Sequence, residues 1–147
     1  DEFTGGANDI AAWNHYATGL NSGETASNQP LWDNMYGTIE PANILIQNVP
    51  LYYNQKSAKY NIRLGEGYFF RAYAYFELVK QYGGVPLKLE PSNGVINYTY
   101  TRNSEEECFA QIISDFEKAY ELLPEEPEDK QLGRLTKSAA AHFLAKV

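Results

Sequence analysis

At 147 residues the chain is long enough to bury a hydrophobic core, and 44% hydrophobic against 21% charged residues is the balance of a globular domain. Twelve basic against nineteen acidic residues leave a net charge of −7, a field that repels phosphate backbones and argues against a nucleic-acid partner. No apolar run approaches the roughly 20 residues a bilayer-spanning helix needs, the opening "DEFTGG" is not a signal peptide, and a single cysteine, Cys108, excludes an internal disulfide or a cysteine metal cluster.

The chain reads as a series of helices. Asn8 or Asp9 is placed to cap the first, through about Leu20, and residues 21–29, "NSGETASNQ", read as a loop. Pro30 then suits the first turn of a second helix. Its apolar stripe is Trp32, Met35, Tyr36, Ile39, Ile46 and Val49, interrupted by Asn43. Pro41 falls inside that stripe and is expected to kink the helix or divide it near Glu40.

A third helix is expected from about Lys56 to Tyr82, stopped by Gly83-Gly84 with Pro86 beyond. Tyr68, Phe69, Phe70, Tyr73, Tyr75 and Phe76 crowd nine consecutive residues of it. At 100° per residue its apolar side chains cover about half the circumference, which predicts burial between neighbours on two sides. Gly65 and Gly67 each cost up to about 1 kcal/mol in a helix interior, so another backbone is expected to pass close by.

Residues 85–101, "VPLKLEPSNGVINYTYT", have no helical period and carry the Asn93-Gly94 turn signal. Ser104 and Glu107 then form a capping box. It opens a fourth helix whose stripe is Phe109, Ile112, Ile113, Phe116, Ala119, Tyr120 and Leu123, ended by Pro124. Thr136 is expected to cap a fifth, "KSAAAHFLAKV", with Ala140 packing on the Phe116-Ala119-Tyr120 face. Ala139, Ala140, Phe143, Leu144 and Val147 still form an apolar stripe where the sequence stops, so a further partner helix is expected. The whole is read as one all-α domain over 1–147 with TPR-like helical pairs, although the strict 34-residue repeat signature is absent.

Few residues suggest chemistry. His15 and His142 lie in different helices without a metal-ligand spacing, so no metal or cofactor is expected. Cys108 lacks a nucleophile's surroundings and reads as a small buried hydrophobe. Asp33, Glu40, Glu66 and Glu77 would have to supply any glycosidase carboxylate pair, yet most acidic helical proteins offer as much. Glu66 with Arg71 reads better as an internal ion pair. Trp13 and Trp32 sit on helical stripes and are expected to pack. The loop from Lys88 to Thr101 is the better candidate for ligand contact, because it sets aromatic rings beside amides on irregular backbone. Pyranose rings stack on the former and hydrogen-bond the latter. Asn97, Tyr98 and Tyr100 are its expected ligand-binding residues. Asn97-Tyr98-Thr99 also matches a glycosylation sequon.

Four ordered stretches resemble one family. "LGEGYFFRAYAYFELVKQYGGVPL" is preceded by "LWDNMYGTIEPANILI" and followed by "SEEECFAQIISDFEKAYELLP" and "GRLTKSAAAHFLAKV". Together they are similar to the N-terminal region of SusD/RagB-type nutrient-binding lipoproteins of Bacteroidetes. Pro41, before Ala42-Asn43, and Gly67 depart from the family's usual residues. The resemblance implies a mostly helical TPR-like fold and a place on the cell outer membrane through an N-terminal lipid anchor that would precede residue 1. It also implies a non-catalytic role, delivering glycan or peptide to a TonB-dependent, SusC-like transporter. Family members are several times longer, so a fragment is expected. The alternative is a TPR-like scaffold that binds protein or peptide and no saccharide; a helical glycoside hydrolase is a more distant one.

Overall fold

The structure, a computed structural model, describes residues 25–55, 57–94, 99–127 and 133–147. The described elements are four helices: α1 Thr25–Tyr52, α2 Ala58–Tyr82, α3 Glu105–Leu122 and α4 Lys137–Leu144. Among the described residues there is no strand. The chain divides into a unit up to Asn34, of which only the first turns of α1 are described, and a unit Met35–Val147 that holds the core. The first expected helix, at Asn8 to Leu20, lies outside the described residues.

α1 corrects two expectations. It starts at Thr25, inside the segment read as loop, and it runs unbroken through both Pro30 and Pro41. A proline inside a helix forfeits one hydrogen bond and presses its ring on the carbonyl four residues back. For Pro41 that residue is Gly37, which has open space where a side chain would be. The neighbours of Pro41 hold the helix together: Ile39, Ala42, Asn43 and Val49 are all buried, and Pro41 itself faces outward.

α2 is the central element. Ser57 caps it by accepting from the Tyr60 amide, and it ends at Gly83, whose φ of 70° belongs to the left-handed region. It packs against α3 along its length, and α3 packs in turn against α4. The close backbone expected at the two glycines is found at Gly67, whereas at Gly65 it is side chains of α3 and its C-cap that come close. A Cβ on Gly67 would lie 3.0 Å from Ile46 Cγ1 and 3.5 Å from the Ala42 carbonyl oxygen of α1. One on Gly65 would lie 3.0 Å from Leu123 Cγ. Burial on two sides is therefore what α2 shows, but the buried arc is not purely aromatic. Leu64, Ala72, Ala74, Tyr75, Leu78 and Val79 are buried, Tyr68 and Tyr73 are only half-buried, and Phe70 is exposed.

α3 opens with the expected capping box. Cys108, Ile112, Phe116 and Ala119 face the core, whereas Ile113 and Tyr120 lie largely exposed. Cys108 is buried as expected, and its sulfur exchanges contacts with both the amide and the carbonyl of Val85. In α4, Thr136 stands at the N-cap position but makes no side-chain cap bond; its hydroxyl pairs with that of Ser138. Ala140 is fully buried. Phe143 stacks on Phe116 at 5.4 Å and meets Phe69 and Tyr73 edge-on at 5.5 and 5.4 Å. Part of the stripe expected to await a further helix is thus turned onto α2 and α3.

Buried charge binds the helices together. Arg71 of α2 donates to both carboxylate oxygens of Asp115 on α3, from Nε at 2.7 Å and from Nη2 at 2.9 Å. Its Nη1 donates to Asn43 Oδ1 of α1 at 3.0 Å. The expected Glu66–Arg71 pair does not form. Glu66 accepts instead from Arg63 at 2.9 Å and pairs with Arg134, just ahead of α4. Residues five apart on a helix point in directions well over 100° apart, so Glu66 and Arg71 serve different neighbours.

Candidate functional site

The α2–α3 connection, residues 83–104, forms a loop with a closed neck and a fastened root. At the neck a Cβ on Gly84 would overlap the Asn103 carbonyl oxygen, so only glycine allows the two arms to approach so closely. The Asn103 amide donates to the Val85 carbonyl at 3.3 Å, and Asn103 Oδ1 accepts from the Leu87 amide at 3.0 Å. Arg102 donates to the carbonyls of Tyr82 and Gly84, which closes the C-terminal end of α2 with a cation.

Side chains from α1 and α2 hold the root. Tyr36 Oη donates to the Pro86 carbonyl at 2.7 Å. Tyr75 Oη donates to the Lys88 carbonyl at 2.9 Å and accepts from the Lys88 amide at 2.6 Å. Asn43 Nδ2 donates to the carbonyls of Lys88 and Glu90, and Arg71 Nη1 to that of Leu89. Farther out, Glu40 accepts from the amide and hydroxyl of Ser92. Burial pushes the phenols of Tyr36 and Tyr75 well above the ordinary tyrosine range. Both hydroxyls therefore remain proton donors to the loop. The turn expected at Asn93-Gly94 is present, with φ of 49° and 76°.

Of the expected ligand residues, Asn97 and Tyr98 lie outside the described residues, and so does Trp13. Tyr100 is described, and 40% of its surface is exposed. Sequence reasoning did not single out Lys88. Its ammonium lies 4.6 Å from the centroid of the Tyr100 ring and 5.4 Å from that of Tyr36. A basic residue alternating with apolar ones in "VPLKLEP" is a weak signal for this. Trp32 is half-buried. Three of the four carboxylates considered for hydrolysis are engaged elsewhere, Glu66 with two arginines, Glu77 with Lys80 at 2.7 Å and Glu40 with Ser92, and Asp33 is exposed on α1. A second concavity, of about 320 Å³, lies between α1 and α2, lined by Gly37, Pro41, Ala42, Leu45 and Phe70 among others, and it is mainly apolar.

The comparisons with known proteins agree with one another. A SusD-like family, described as "Starch-binding associating with outer membrane", matches residues 4–147. A SusD-like protein of Formosa agariphila is 31% identical over 137 residues, which are 91% of this chain and 26% of that protein. A crystal structure of a SusD-like protein from Bacteroides fragilis matches 82% of this chain and 23% of its own length, at 30% identity and a TM-score of 0.73. Another, a crystal structure with xylogluco-oligosaccharide, matches 80% of this chain and 23% of its own, at 31% identity and a TM-score of 0.71. The chain thus spans about a quarter of the length of these relatives.

Proposed function

The chain belongs to the SusD-like family, and from that premise we propose that its protein is a non-catalytic glycan-binding lipoprotein on the surface of the outer membrane. It captures oligosaccharides and passes them to a TonB-dependent, SusC-like transporter. Residues 1–147 serve it as an N-terminal TPR-like helical domain. The observation that carries this reading is the family match along nearly the whole chain, in a family described as starch-binding and associating with the outer membrane.

The loop supports a place for the ligand. Capture without bond cleavage needs an aromatic face and amide donors held still, because ordering them at the moment of binding would subtract from affinity. The root of this loop is fixed by buried side chains, and Tyr100 stands exposed above it. Asn97, Tyr98 and Tyr100 are the residues proposed to meet the sugar. Engagement of Glu40, Glu66 and Glu77 with other side chains weighs against hydrolysis.

Calorimetric titration of the full-length protein against plant and host oligosaccharides tests the reading, repeated with Tyr98→Ala and Tyr100→Ala. Saturable binding weakened by both changes is the expected result. Binding indifferent to them would move the site off this loop, and no binding across the panel would favour a peptide ligand.

A further inference from the structure

Lys88 meets two aromatic rings at once. Its backbone is fixed at both ends by Tyr75 Oη and from a third direction by Asn43, so the side chain leaves from a rigid point. The ammonium lies 5.4 Å from the ring centroid of Tyr36 on α1 and 4.6 Å from that of Tyr100 on the far arm of the loop. Among the described residues no carboxylate pairs with it. Glu40 accepts from Ser92, and Asp115 from Arg71 and Gln111; Glu90, two positions on, is exposed and makes no ion pair with Lys88. If the side chain served only to pack against the rings, an apolar residue such as Met would do so. Ring faces attract the cation but accept none of its N–H groups in the manner of an anionic oxygen.

We propose that Lys88 and Tyr100 form a subsite for a sugar bearing a carboxylate, a uronate unit of the captured oligosaccharide. The carboxylate completes the unpaired ammonium through a charge-assisted hydrogen bond, and the C–H surface of the same sugar packs on the exposed part of Tyr100. The pair sits within the loop assigned above to the glycan, so the inference rests on that reading and narrows its substrate class. Selectivity by one such pairing amounts to about tenfold or more in Kd between charged and neutral forms of a ligand.

The experiment is titration of the full-length protein with oligogalacturonate, with its methyl ester, and with neutral gluco-oligosaccharides, at low and high salt. The acid form is expected to bind about tenfold more tightly than the ester, with the advantage shrinking as salt rises. Lys88→Met should abolish the advantage and Lys88→Arg should retain it, with thermal unfolding showing that both variants are folded. If neutral oligosaccharides bind and the acid form binds no better, or if its advantage survives in Lys88→Met, the subsite is overturned while glycan capture stands. Failure of every saccharide to bind would overturn both.

Discussion

Asp115 holds Arg71 by both carboxylate oxygens, and neither side chain has more than 6% of its surface exposed. The pair lies where α1, α2, α3 and the loop root meet, because the same guanidinium also reaches Asn43 and the Leu89 carbonyl. Asp115→Ala would leave the guanidinium buried without its counter-charge. Loss of about 3–5 kcal/mol is expected in urea unfolding. Arg71→Lys should also be costly, since an ammonium cannot span both oxygens and two further acceptors in a plane.

Two glycines should respond in opposite directions. Gly84→Ala places a methyl group into the Asn103 carbonyl oxygen, so the neck must open. A clear fall in thermal midpoint is expected, with weaker amide-exchange protection for Val85 and Leu87. Gly37 lies inside α1 with open space about its Cα, and Gly37→Ala should raise stability by up to about 1 kcal/mol.

The two raised phenols predict an alkaline limit. An unfolded tyrosine ionises near 10, while Tyr36 and Tyr75 keep their protons in the fold to higher pH because burial disfavours the phenolate. Their contribution is fully present below pH 10 and is lost as pH rises through the folded-state values. The urea midpoint should hold through neutral and mildly alkaline pH and decline above 10. Replacing both with Phe should make that decline shallower, although the fold starts weaker for want of the bonds to Pro86 and Lys88.

At the start of α3 the sign reverses. The Ser104 amide, and then the Asn103 side chain, hydrogen-bond the Glu107 carboxylate and lower its pKa. The stability so gained is present above the ordinary carboxylate value and is lost as pH falls through the lowered one. Ser104→Ala should cost about 1 kcal/mol at neutral pH, whereas Glu107→Gln, which removes the titrating carboxylate, should reduce the acid sensitivity of α3 measured by circular dichroism.

Helix order, the stop at Gly83, the capping box and the close approach at Gly67 were all legible, since each rests on local backbone chemistry. Partner choice was not. Glu66 and Arg71 are near in sequence and opposite in charge, but helix geometry points them apart, and the true partner of Arg71 lies 44 positions away. Asp115 gave a signal of its own: it sits between Ile112 and Ala119 on the buried stripe of α3, where an acid requires a partner. Pro41 does not divide α1, because a proline's cost is local, whereas the packing that outweighs it, from Ile39, Ala42 and Val49, is tertiary. Tyr100 was singled out from its loop position and chemistry and Lys88 was not, because its approach to two rings depends on the path of the loop.

The neck at Gly84 and Asn103 separates the energetics of the loop from those of the helices. Among the described residues, the hydrogen bonds that seat the connection fall at residues 84–92 and 102–103. Lengthening a loop whose ends are already joined costs only about 0.6 kcal/mol per doubling. A scaffold built in this way can exchange one tip for another, of different length and side chains, and keep folding. New sugar preferences can then arise by replacing a dozen residues while Tyr75, Asn43 and Arg71 stay as they are.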